Sequence, residues 1–307
     1  MQKMINLPHL ANQVFGVPLY ATRDLVDAVK SVLIPRIMGG VHDNIEMSTG
    51  SDKSAGFTQK QDGAAIAVIP VHGILVPRRG LINDACQELT SYERLRNQIQ
   101  AAVDDPAVME IVLDINSSGG MVSGCKEVAD FIFTSREIKP VTAIVNFNAF
   151  SAAYFIASAC SKVVISDTGG VGSVGVIMEH LDVSGWEESN GLKFTSIFRG
   201  DNKNMFTPHA PLSESDRTAV QAMVDASYET FTSSVAQYRG MDVQAVVDTQ
   251  ASIYFGQDAI AAGLADEMCP PQDAINAIAG KYAPAASATG KRSIQLRAAE
   301  MNQRASM

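Results

Sequence analysis

The sequence predicts an α/β fold built on a sheet with parallel strands and helices on both faces. Two observations carry this. Short apolar runs, MEIVLDIN (109–116), VTAIVNF (141–147) and KVVIS (162–166), have the near-continuous hydrophobicity of strands covered on both sides. Between them lie helical stretches, GMVSGCKEVADFIFTSR (120–136) and SAAYFIASAC (151–160), which gives the alternation of βαβ units.

Taken in order, residues 1–38 read as a separate N-terminal segment. Its helix starts at Thr22, carries Leu25, Val29, Val32 and Leu33 on one face, and stops at Pro35. Residues 39–63 are polar and rich in Gly, Ser and Asp, the composition of a linker. The compact domain spans 64–282. It opens with AAIAVIPVHGILV, a strand or bent strand pair around Pro70, followed by a helix from Thr90 with Glu93 completing a capping box. After KVVIS come a strand at 171–178, a helix at 181–191 closed by Gly191, and a strand at 192–198. A long helix runs from Ser213 to Gly240 with Met223, Tyr228, Phe231 and Val235 at helical spacing, a packing stripe. IYFGQDAIAAGLADEM (253–268) is a strand plus helix, QDAINAIAGKY follows, and residues 283–307 lose their apolar period and read as a mobile tail.

Composition narrows the function. A net charge of −9 over 307 residues argues against a nucleic-acid surface, which needs clustered Lys and Arg. The sequence has no apolar run long enough to span a membrane, and its N-terminus does not read as a secretion signal. The cysteines (Cys86, Cys125, Cys160, Cys269) and histidines (His9, His42, His72, His180, His209) lack ligand spacing. No disulfide framework, metal or cofactor is expected, and the chain reads as cytosolic.

Three features bear on chemistry. Ser151 stands at a strand-to-helix turn, where backbone N–H groups converge. It reads either as a nucleophile beside oxyanion donors or as a helix N-cap. INSSGG (115–120) places the pair Gly119 and Gly120 after a buried strand. It reads as main-chain donors facing a ligand, as a phosphate-binding turn, or as a tight connection. With Gly119 as one donor, the amide of Ala152 is placed to be the other. Lys203, in RGDNKNMF (199–206), reads as a base for the serine or as a solvated surface charge. A lysine acts as a base only when neutral, which requires burial or positive surroundings; lowering one from ~10.4 to ~7 represents roughly 4–5 kcal/mol.

The order of glycine-pair turn, serine at a helix start, GSVGV return (172–176) and downstream lysine resembles the SppA-type signal peptide peptidases. These are Ser–Lys proteases with a ClpP/crotonase-like fold of repeated ββα units. The resemblance is closer to their phage relatives, the lambda-type capsid assembly (prohead) proteases. NLPHLANQVFGVPL, PVHGILV, GGMVSG and VVDTQASIYFGQDAIAAGLADE carry it, over nearly all of residues 5–275. It implies Ser151 as nucleophile, Lys203 as general base, and the Gly119 and Ala152 amides as oxyanion donors, with Gly120 in support. Ser173 would help hold the lysine, or its hydroxyl serves only the local turn. Two departures stand out: Ser118 replaces the usual proline of the turn, and Phe150 and Ala152-Ala153 flank the serine where many relatives carry smaller residues.

By resemblance the substrates would be scaffold, portal and minor capsid proteins, and the chain itself, inside an assembling prohead in the host cytoplasm. A homo-oligomer is expected, without nucleic-acid or membrane partners. The alternatives are a host-type signal peptide peptidase, an acyl-CoA hydratase or isomerase on the same fold, and a non-catalytic capsid scaffold protein.

Overall fold

The computed structural model describes residues 14–37, 57–61, 64–78 and 89–282. The tail from 283, most of the expected linker, Cys86, His9 and His42 lie outside the described residues.

Two sheets organise the chain. The larger is built on parallel strands β3 (Ala64–His72), β6 (Val108–Ser117) and β8 (Val141–Phe150), extended at one end by the antiparallel edge strand β2 (Phe57–Gln61). The far edge of β8 is shared. Its first half pairs in parallel with β9 (Lys162–Ile165), its last residues with β10 (Gly170–Gly172). β10 then pairs antiparallel with β11 (Ile253–Phe255), and β9 in parallel with β12 (Glu267–Met268). The smaller sheet has the order β1 (Leu19–Ala21), β7 (Gly119–Met121), β4 (Leu75–Val76), β5 (Thr90–Ser91). Strand, short strand and helix thus recur: β3 with β4 before α2 (Tyr92–Asp104), and β6 with β7 before α3 (Cys125–Ser135).

The alternation of side chains divides the core. Ile111, Leu113 and Ile115 of β6 face one side with Leu95 and Ile99 of α2, Val128 and Ile132 of α3, and the wholly buried helix α4 (Ala152–Ser158). Val112, Ile144 and Val164 face the other side, against Ala274, Ile275, Ile278 and Ala279 of α9 (Pro271–Lys281). Each fully buried Leu, Ile or Val contributes about 1.5–3 kcal/mol, so this two-sided cover is what holds the parallel strands. Glu110, buried beneath α9, accepts hydrogen bonds from Thr142 Oγ1 (2.7 Å) and Tyr282 Oη (2.9 Å). Those bonds satisfy a carboxylate that would otherwise be costly to bury.

The remaining elements are α1 (Arg23–Ile37), α5 (Ser184–Ser189), α6 (Glu214–Arg239), α7 (Val243–Val247) and α8 (Gly256–Ala261). The long helix is capped as expected. Ser213 Oγ accepts from Asp216 N–H, and Gly240 closes the C-terminus at φ 64°. Of its stripe, Phe231 and Val235 are core, whereas Met223 is exposed.

Several expectations need correction. Residues 57–61, placed in the linker, form β2. Pro70 lies inside the continuous strand β3, the first of the two arrangements expected there, beyond Val68, where the described pairing with β2 ends. α1 continues past Pro35 to Ile37, and Val26 rather than Val32 is its buried valine. α2 is capped by Ser91, not opened at Thr90, since Thr90 is a strand residue whose Oγ1 donates to the His72 carbonyl. The strand expected at 171–178 is regular only over Gly170–Gly172; beyond it Ile177 and Glu179 make isolated bridges to Leu19 and Phe15. The strand expected at 192–198 does not form. Leu192, Phe194, Ile197 and Phe198 are exposed there, and among the described residues no strand pairs with them. The N-terminal segment, expected to stand apart, contributes β1 to the smaller sheet.

Candidate active site

Ser151 is the one residue between β8 and α4. Its backbone sits at φ 54°, ψ −116°, a conformation that L-residues other than glycine rarely adopt and that costs on the order of 1–3 kcal/mol. The surroundings over-determine it. Its N–H donates to the Gly172 carbonyl on β10 (2.8 Å), and its own carbonyl accepts from Phe155 N–H (2.9 Å), the first bond of the helix. The hydroxyl makes no capping bond. Ser151 Oγ is buried and has no hydrogen-bond partner. A serine selected as a cap would direct that oxygen at the amides of the first turn. Instead the turn holds a strained serine with an orphaned oxygen, at a cost of about 1–3 kcal/mol. A sharp, strained strand-to-helix turn is also the setting in which α/β-hydrolases carry their nucleophilic serine.

Ala152 stands at the first helical position, where an amide has no intrahelical acceptor. Its carbonyl lies 3.7 Å from Cys125 Sγ. Burial, ahead of the opposing hydrogen bond to Tyr92, pushes that thiol far above the ordinary range, so Cys125 is a core residue and not a second nucleophile.

The glycine pair has a structural reason as well. A Cβ on Gly119 (φ 109°) would stand 2.2 Å from the Tyr20 carbonyl oxygen of β1, and one on Gly120 would stand 2.0 Å from the Leu75 carbonyl oxygen of β4. The two glycines let β7 pack between its neighbours. Gly119 N–H donates to Ser117 Oγ (3.1 Å), whose hydroxyl donates to the Gly73 carbonyl (2.6 Å). Ser117 escaped the sequence reading; its place two residues before the glycine was the available signal.

Ser173 also has a left-handed backbone (φ 54°). Its N–H donates to the Ser252 carbonyl, and it directly follows the carbonyl that holds Ser151. The register of β8 on β10 therefore brings Ser151 and Ser173 close together. Phe150, ahead of the serine, fits because Gly170 has no side chain; a Cβ there would be 2.7 Å from the Phe150 ring.

Lys203 occupies a different setting. It lies on the 3-10 turn Asp201–Asn204, with its N–H on the Gly200 carbonyl (2.9 Å) and its side chain exposed. Since Ser151 Oγ has no partner, the Lys203 ammonium does not hydrogen-bond to it in the single chain. Residues 188–203 are exposed without exception. The excursion is tied internally by His209 Nδ1 to Glu187 Oε1 (2.6 Å) and by the Phe194 ring stacked on His209. The structure thus brings together Ser151, Ala152 and Ser173, sets Gly119 and Gly120 on β7 against β1 and β4, and leaves Lys203 on the surface. Among the described residues no group of His, Cys, Asp and Glu could hold a metal ion, and no helix is long and apolar enough to cross a membrane.

Residues 134–283 match Peptidase family S49, a span that includes Ser151, Ser173 and Lys203. The chain is 35% identical over 289 residues to the capsid assembly protease C of Escherichia phage lambda, covering 88% of this chain and 65% of that protein. It is 38% identical over 214 residues to the head-tail preconnector protein of Enterobacteria phage P21, covering 70% of this chain and 42% of that one. A putative signal peptide peptidase SppA of Enterococcus faecium is a more distant relative, at 27% over 223 residues, 71% of this chain and 64% of that protein. The chain therefore spans less than two thirds of the length of these relatives. Among solved structures, a ClpP1 mutant of Listeria monocytogenes aligns with 67% of this chain and 92% of its own at 15% identity and a TM-score of 0.39, too slight a likeness to argue from. Over residues 134–283 the chain is thus similar to Peptidase family S49, and along most of its length to a phage capsid assembly protease.

Proposed function

We propose that this protein is a serine endopeptidase of phage prohead maturation, with Ser151 as nucleophile and Lys203 as general base. The observation that carries the reading is the strained, buried Ser151 with its unsatisfied oxygen, within a span matching a peptidase family. In the working site neutral Lys203 takes the Ser151 proton as the oxygen attacks a peptide carbonyl. The Ala152 and Gly119 amides hold the oxyanion, and the lysine ammonium then protonates the leaving amine. Water, deprotonated by the same amine, releases the acyl group and restores the serine. Gly120 supports Gly119, and Ser173 positions the amine.

For this chemistry Lys203 must leave the surface. The exposed Leu192, Phe194, Ile197 (96% exposed) and Phe198 favour a homo-oligomer in which a neighbouring copy covers the excursion and drives the amine towards a serine. The apolar surroundings of Ser151 would desolvate an arriving amine, the condition that keeps a lysine neutral. Scaffold, portal and minor capsid proteins are the proposed substrates, with the enzyme acting inside the prohead and without a cofactor. The test is co-expression with candidate scaffold and portal proteins, read by mass spectrometry of the fragments. Wild type should yield defined cleavage products, and Ser151→Ala and Lys203→Ala none. Identical fragments from all three would refute the assignment.

A further inference from the structure

β1 lies between β7 and the chain at Ile177–Glu179. It runs antiparallel to β7, with Leu19 opposite Met121, Tyr20 opposite Gly120 and Ala21 opposite Gly119. Its other edge is also occupied: Leu19 N–H donates to the Ile177 carbonyl (2.9 Å), and Ile177 N–H donates back (3.0 Å). Upstream, Gly16 N–H donates to the Glu179 carbonyl, and downstream Thr22 N–H donates to the Ser118 carbonyl. Residues 15–22 are thus held as a strand between two walls, the mode in which proteins read peptides by strand addition. The Tyr20 carbonyl oxygen stands where a side chain on Gly119, the residue with the proposed oxyanion amide, would have to go. The Tyr20 ring packs on Phe155 (5.6 Å), one helical turn beyond Ser151, and on Phe231 (4.6 Å).

We propose that residues 15–22 are an autoinhibitory strand, filling in cis the peptide slot of the active site, and that a substrate segment must displace them. This rests on the reading of Ser151 as nucleophile and adds how the site is gated. Two further features agree with a closed state. Gly119 N–H is engaged by Ser117 Oγ rather than facing a ligand, and Ser151 is fully buried with its Oγ unpartnered. The latch is visible at the start of α1. Arg23 Nη1 (2.6 Å) and Lys30 Nζ (2.7 Å) both pair with Glu179, on the wall opposite β7, and Asp27 joins the two cations on the helix. Releasing β1 therefore requires breaking an ion-pair network on a partly exposed surface, drawing Tyr20 from its aromatic pocket, and exchanging one set of strand bonds for another. An incoming peptide restores the last.

The test combines hydrogen exchange of the 15–22 amides with the rate of fluorophosphonate labelling at Ser151, read by mass spectrometry. The proteins are wild type, Arg23→Glu/Lys30→Glu, Tyr20→Ser and Ser151→Ala. The charge-reversed variant changes only side chains outside the core and sets them against Glu179. It should speed exchange across 15–22 and raise labelling roughly fivefold, the scale of a weakened exposed ion-pair network. Excess synthetic peptide of residues 14–22 should return the labelling rate towards wild type. Labelling that stays within twofold of wild type while 15–22 exchange freely would make β1 a structural strand and overturn the inference. So would a strand that stays protected in both variants, since the latch and anchor would then not hold it. Absence of any label at Ser151, or equal labelling of Ser151→Ala, would instead count against the serine as nucleophile, whatever the strand does.

Discussion

The corner between β8 and α4 and the excursion from 181 to 212 hold the two halves of the proposed dyad in opposite physical conditions. At the corner every residue from Ala149 to Cys160 is buried, the Ser151 backbone is pinned from two sides, and strain is sustained because the surrounding core over-determines it. In the excursion a six-residue helix and one 3-10 turn are joined by unpaired chain, and apolar side chains face outward. A fold can pre-organise a nucleophile with its own core. A base carried on a segment with no core of its own needs another surface to seat it. The comparison predicts a protein whose serine is built at folding and whose lysine is recruited at assembly.

The strongest way to break that contrast is activity. Ser151→Ala and Lys203→Ala should each reduce processing by about a thousandfold or more, as members of a nucleophile–base unit do, measured as fragment yield against time. Next comes packing. Phe231→Ala opens the stacked Tyr20–Phe155–Phe231 cluster and should cost about 3–5 kcal/mol in denaturant unfolding, whereas Met223→Ala, on the exposed half of the same helix, should stay within about 0.5 kcal/mol. Smaller, and opposite in sign, is the release of strain. Ser151→Gly should gain about 1 kcal/mol of stability while abolishing activity, since glycine tolerates φ 54° and removes the orphaned oxygen. Lys203→Ala should leave stability unchanged within about 0.5 kcal/mol. Ile197→Ser/Phe198→Ser should leave thermal unfolding of the dilute protein unaltered and shift sedimentation towards monomer.

The smallest effect is one of pH. Burial raises the Asp266 carboxyl, but the Arg239 guanidinium (2.6 Å), the Val163 amide (2.7 Å) and nearby cations outweigh it and hold the group below its usual range. A carboxylate depressed in the folded state contributes stability that is present above its unfolded value, near ~3.9, and lost as pH falls through the folded one. Asp266→Asn should therefore flatten the acid limb of the stability curve below about pH 4 and leave its shape at neutral pH unchanged.

What the sequence disclosed follows the same division. β6, β8, β9 and the helices between them were legible because continuous burial writes continuous hydrophobicity, and Ser151 because a strand-to-helix boundary falls on it. Its strain was not legible, since φ 54° comes from the Gly172 carbonyl, which the chain supplies after a further helix and strand. β1 was missed because three residues give no periodicity and their pairing with Gly119–Met121 is purely long-range. The 192–198 segment has the composition of a strand, but a strand needs a partner, and among the described residues it has none. The seat proposed for Lys203 is not legible in the sequence for the same reason.

The central claim is that Ser151 becomes a nucleophile through Lys203, and it is tested most directly by fluorophosphonate acylation of the assembled protein, with the modified residue identified by mass spectrometry. The predicted result is a single adduct on Ser151, forming at least about a hundredfold more slowly in Lys203→Ala. An adduct on Ser151 at equal rates in both proteins would contradict it.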